Sequence, residues 1–96
     1  MIKIWLDDAR VAPSYFDIVT TSYDECINAI NKILDANLTF MIDFDHDLGE
    51  GKSGYDVAKY IVENQITMNG FRVHSMNPVG VSNIRQLLTH YGYTEV

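Results

Sequence analysis

A chain of 96 residues forms one domain, residues 1–96, because it leaves no room for a second hydrophobic core. Its 47% hydrophobic and 21% charged residues are ordinary for a globular protein and exclude disorder. A net charge of −6 excludes a broad surface for duplex DNA, and the single cysteine, Cys26, excludes a disulfide framework or a thiolate zinc site within the chain.

Met1–Leu6 reads as a short apolar strand that ends where Asp7 and Asp8 begin, too soon for a signal peptide. No stretch approaches the ~20 apolar residues of a membrane helix, so the expectation is a cytoplasmic protein with no membrane partner. Residues 9–16 contain Pro13 and read as a loop. Phe16–Thr20 alternates apolar and polar residues, the pattern of a second strand near an edge. Ser22 followed by Glu25 is a capping-box spacing, and Cys26, Ile30, Ile33 and Leu34 continue it as an amphipathic helix to about residue 36. On that buried stripe Cys26 reads as a core residue.

Leu38–Phe44 is the most apolar run and belongs at the centre of a sheet. Asp45-His46-Asp47 and a loop with Gly49 and Gly51 follow. Ser53 with Asp56 three residues later starts a second helix that buries Val57, Ala58, Ile61 and Val62. After the Asn69-Gly70 turn, Phe71–His74 is a short strand. Asn77-Pro78 is a cap followed by a proline suited to a first helical turn. Val81, Ile84, Leu87, Leu88 and Tyr91 mark the third helix, with Gly92 as its stop. The order β-β-α-β-α-β-α predicts an α/β fold of three layers, a mostly parallel sheet with helices on its faces.

In such a sheet the strand-to-helix loops share one rim, where ligands bind. Three strand ends carry polar residues beyond what a turn requires: Asp7-Asp8-Ala9-Arg10, Asp45-His46-Asp47 and His74-Ser75-Met76-Asn77. Carboxylates brought together repel unless a cation or protons intervene, which makes Mg²⁺ or Mn²⁺ a plausible cofactor. Two imidazoles beside them suit acid–base work near neutral pH. Arg10 either pairs with Asp7 or Asp8 or holds a phosphate by its forked donors. Asp43 alternates out of register with this rim and reads as a solvated or structural residue. His90, late in the last helix, suits the helix dipole.

The pattern of an apolar strand ending in Asp7-Asp8, a second ending in Asp45-His46-Asp47-Leu48, and a third ending near Ser75 resembles the receiver domains of two-component response regulators. Asp7 and Asp8 match the acidic pair of that flavodoxin-like fold, Asp47 or Asp45 its third-strand aspartate, and Ser75 its hydroxyl residue. Several receiver features have no counterpart: the first helix, an Asp-x-x-x-Pro pattern, and the lysine ending a fifth strand. Residues 93–96 leave that strand vestigial or absent.

Four segments resemble the cyclic-phosphate-processing receiver family more closely. They are Trp5-Leu6-Asp7-Asp8-Ala9-Arg10, Asp45-His46-Asp47-Leu48-Gly49, Gly54-Tyr55-Asp56-Val57 and Val73-His74-Ser75-Met76-Asn77-Pro78-Val79-Gly80. The resemblance implies action on a cyclic phosphate, such as an RNA 2′,3′-cyclic phosphate end or a cyclic nucleotide signal.

On that reading His46, His74, Asp47 and Ser75 are the catalytic candidates, and Arg10, Ser75, Asn77 and Gly80 the phosphate-binding ones. Asp7, Asp8 and Asp47 would hold a metal, with Asp45 as the alternative to Asp47. Two other readings share these residues: a binding module that captures a cyclic nucleotide without cleaving it, and a pseudo-receiver that docks to proteins through Tyr55, Tyr60, Tyr91 and Tyr93. A bare sheet edge could also be covered by a second copy in a homodimer.

Overall fold

The computed structural model describes all 96 residues. In chain order they form β1 (Ile2–Leu6), β2 (Ile18–Thr20), α1 (Tyr23–Asp35), β3 (Phe40–Phe44), α2 (Gly54–Glu63), β4 (Gly70–Val73) and α3 (Pro78–His90). No helix is long and apolar enough to cross a membrane.

Each helix starts where its side chains offer a cap. Ser22 accepts from the Glu25 amide at 3.2 Å, while the Glu25 carboxylate reaches one residue beyond the cap, to the Thr21 amide at 2.7 Å. The Asp56 carboxylate accepts from the Ser53 amide at 2.8 Å, and Asn77 accepts from the Gly80 amide at 3.0 Å ahead of Pro78. These bonds satisfy amides that the first helical turn leaves without partners.

The strands pair in parallel in the order β2-β1-β3-β4. Residues 7–17, between β1 and β2, contain no helix. After α3, an isolated parallel bridge joins Glu95 to Phe71 of β4.

From β2 onward every crossover moves in the same direction along the sheet. Crossovers between parallel strands are right-handed, so all three helices fall on one face. There Ile4, Leu6, Phe40, Ile42, Phe44 and Phe71 meet Cys26, Ile30, Val57, Ile61, Ile84 and Leu88 in a single core. Burial in that core pushes the Cys26 thiol pKa up to about 12.

The architecture is α/β and receiver-like, but it has two layers and not the three expected. No helix stands between β1 and β2, and the second face is covered instead by the loop that joins them, with Trp5, Met41 and Asp43 buried. That face carries Lys3, Trp5, Met41, Asp43 and Arg72, partly overlaid by Tyr15 and Phe16 from the β1–β2 loop.

Candidate functional site

Side chains alternate across a sheet, so register decides which polar groups meet. Trp5, Val19, Asp43 and Arg72 form one row across β2-β1-β3-β4 on the open face. The backbone ladder continues past the strand ends, with Asp45 donating to the Leu6 carbonyl and His74 to the Phe44 carbonyl. The next row on the same face is therefore Asp7, Asp45 and His74.

His74 is held from three sides. Its Nδ1 lies 2.6 Å from Asp43 Oδ1 and its Nε2 lies 2.9 Å from Asp7 Oδ2. The Trp5 ring stacks on it with centroids 4.0 Å apart and planes 7° from parallel. Burial pushes the imidazole toward its neutral form, but the hydrogen bonds to Asp43 and Asp7 outweigh this and raise its pKa above the usual histidine range. A protonated ring donates from both nitrogens, which matches its two carboxylate partners.

Burial also works against the charge on Asp7. The amides of Arg10 and Ala9, at 2.9 and 2.8 Å from Oδ1, overcome that cost with His74 and hold the carboxyl below its ordinary value. Arg10 itself makes no ion pair with Asp7 or Asp8. Its Nη1 donates to the His74 carbonyl at 2.7 Å, and its own carbonyl accepts from Trp5 Nε1 at 3.3 Å. The loop after β1 is thereby fastened across the rim to the end of β4.

Carboxylate oxygens of Asp7, Asp8 and Asp45 all lie within 4.8 Å of one another. Burial raises the Asp45 pKa, the nearby Asp7 charge adds to this, and the Ser75 hydroxyl offsets part of it. The strain in this trio is that of negative charges crowded together. An oxygen-only donor set of this kind fits a hard divalent cation such as Mg²⁺ or Mn²⁺.

His46 belongs to a separate network. Its Nδ1 lies 3.0 Å from Asp47 Oδ1, and its ring packs against Gly80 in the first turn of α3, where a Cβ would overlap it. The His46 hydrogen bond, supported by Asn77, lowers the pKa of Asp47. His46 therefore lies on the helix side of the rim and His74 on the open side. Gly49, at φ +76°, lets the loop after β3 turn back toward Asp8, where a Cβ would approach Asp8 Oδ2 to 3.2 Å.

A model of the cyclic-phosphate processing receiver domain matches residues 2–90. The chain belongs to this family. Among curated proteins and among solved structures, none gives a significant match.

Within this cyclic-phosphate processing receiver domain, the third carboxylate beside Asp7 and Asp8 is Asp45, while Asp47 serves His46. Ser75 faces Asp45 and accepts from the Asn77 amide at 3.1 Å. The Gly80 amide is committed to the Asn77 cap. The two histidines share the rim but not one hollow.

Two residues of the site were not singled out from sequence. Asp43, expected to be solvated or structural, is buried and paired with His74. Its parity with Asp45 places it on the same face, one pleat below the rim, and His74 leans back to meet it. Trp5 falls between Lys3 and Asp7 on the open face of β1 by the same alternation.

Proposed function

We propose that the chain hydrolyses a cyclic phosphate at the carboxyl rim of its sheet. The reading rests on the Asp43–His74–Asp7 chain, a histidine whose hold on its proton two carboxylates strengthen at the rim where the carboxylates gather. Opening a cyclic phosphate requires a water in line with the leaving oxygen, a base for the water and an acid for that oxygen.

His46 suits the base. Asp47 engages Nδ1, which leaves Nε2 without a protein partner and able to accept a proton. His74 suits the acid, since its carboxylate partners favour the protonated ring. The two rings lie on opposite faces of the sheet, so in-line displacement requires a phosphate seated across the rim between them. Arg10, whose remaining guanidinium donors meet no protein acceptor, would hold the non-bridging oxygens together with Ser75 and Asn77, whose donors face Asp45 and Asp47 in the unliganded site. Asp7, Asp8 and Asp45 would hold a divalent cation, which supplies charge neutralisation at the phosphate when bound.

A second reading is capture without cleavage. It is favoured by the engagement of both His74 nitrogens, which leaves the acid no free N–H until a contact is exchanged. Incubation with 2′,3′-cyclic and 3′,5′-cyclic nucleotides, with and without Mg²⁺ or Mn²⁺, separates the two. A linear monoester supports hydrolysis; intact nucleotide recovered with the protein supports capture.

A further inference from the structure

The loop between β4 and α3 joins Ser75 and Asn77, two donors of the proposed phosphate seat, to the helical turn that packs on His46. Its backbone is pinned along its length. Arg10 Nη1 donates to the His74 carbonyl at 2.7 Å, the Asn77 amide to Ser75 Oγ at 3.1 Å and the Gly80 amide to Asn77 Oδ1 at 3.0 Å, with Pro78 opening the helix. Yet the two large apolar side chains of this segment face solvent. Met76 is 83% exposed and Val79 68%, whereas Met41 and Met68 are buried.

A lone exposed apolar residue needs no explanation. Here the position supplies one. Met76 stands between Ser75 and Asn77 in the chain, and Val79 stands between the Asn77–Pro78 cap and Gly80, against which the His46 ring packs. A phosphate held by Ser75, Asn77 and Arg10 carries the rest of its molecule outward past these two side chains. At the other two strand ends the exposed Asp8, Arg10 and Asp47 present charge instead.

We propose that Met76, with Val79 beside it, recognises a nucleobase, so that the phosphate seated at this rim belongs to a nucleotide. The proposal rests on the phosphate seat assigned above. A nucleobase offers a flat π face, and a flexible thioether makes favourable contact with such a ring and adapts to its size. The cyclic phosphate of a polyol would instead press hydroxyls against a thioether and an isopropyl group, where they lose water without gaining a partner. The contact reads the ring's face and not its edge. It therefore separates nucleotides from other phosphates without selecting a sequence.

The test uses the full chain with ¹³C-methyl methionine and two ring-opened probes, adenosine 3′-monophosphate and ribose 3-phosphate, which share the phosphate and differ in the base. The nucleotide should move the Met76 methyl signal upfield through its ring current and leave those of Met41 and Met68 in place. It should bind about twofold to tenfold more tightly than ribose 3-phosphate, the span expected of a sulfur–aromatic contact. Met76→Ala should remove most of that preference without changing the affinity for ribose 3-phosphate, and Met76→Leu should keep part of it. Should a variant misfold, the methyl shift of the native chain still decides. Adenosine 2′,3′-cyclic phosphate left intact, together with the Met76 shift, would remove hydrolysis and support base recognition. Equal affinity for the two probes, no shift at Met76, or a preference unchanged in Met76→Ala would overturn the proposal, even where turnover is observed.

Discussion

The two histidines of the rim occupy contrasting environments. His74, on the open face, is fixed by two buried carboxylates and a stacked indole. His46, on the helix face, has one exposed carboxylate and a glycine that gives its ring space. The first arrangement binds a proton and contributes to the stability of the fold. The second leaves a nitrogen free and contributes little to stability. A histidine's part in a site is thus set less by its place at a strand end than by which face of the sheet its parity selects.

The contrast should appear most strongly in stability. His74→Ala leaves Asp7 and Asp43 buried without their shared partner and should cost about 3 kcal/mol. Replacing His46 by alanine breaks an exposed pair and should cost no more than about 1 kcal/mol. Urea denaturation of the two variants measures both, and equal losses would erase the distinction.

Gly80→Ala tests the helix side. The new methyl overlaps the His46 ring and must displace it, at a cost of roughly 1–3 kcal/mol. Any activity that depends on His46 should fall with it, whereas the His74 imidazole signals in NMR should stay where they are.

The open side should carry a pH signature in metal-free buffer. The raised His74 pKa gives stability that is complete below about pH 6.5, the unfolded value, and is lost as pH rises through the folded value. The lowered Asp7 pKa gives stability that is present above about pH 3.9 and lost as pH falls through its folded value. Stability should therefore be greatest between these limits, and Asp43→Asn should weaken its decline on the alkaline side. A decline unchanged in Asp43→Asn would detach the effect from His74.

The stacking contribution at Trp5 is smaller than the loss expected at His74. Trp5→Leu removes the stacked ring, worth about 0.5–1.5 kcal/mol beyond its buried area. As the chain's one tryptophan, Trp5 also reports on the rim. Titration with Mg²⁺ or Mn²⁺ should change its fluorescence, and Asp8→Asn should abolish that response.

Much of the fold was legible because local signals agreed with the tertiary structure. Ser22, Ser53 and Asn77 announced three helix starts, and the β-branched and aromatic run before Asp45 announced the central strand. The layer count was not legible from helical periodicity, which says that a helix is amphipathic but not which face of the sheet it covers. Strand order supplies that through crossover handedness. At the site, the strand ends pointed to Asp7, Asp8, His46, Asp47, His74 and Ser75, with Asp45 as the alternative to Asp47. Asp43 escaped because it was expected to alternate out of register with the rim, whereas it shares the parity of Asp45, and His74 turns back over the sheet to take it as a partner one pleat lower. Between Asp45 and Asp47, side-chain alternation alone does not decide, because both share one parity; the carboxylate that lies beside Asp7 and Asp8 is that of Asp45.

The central claim is that the rim processes a cyclic phosphate with His46 and His74 in complementary roles. The most direct test follows a 2′,3′-cyclic nucleotide by phosphorus NMR in the presence of the full chain and of each single histidine variant. The account predicts a linear monoester from the native chain and a fall of about 10²–10⁴-fold in rate for either His46→Ala or His74→Ala. Cyclic phosphate left intact by the native chain, or turnover unchanged in both variants, would contradict it.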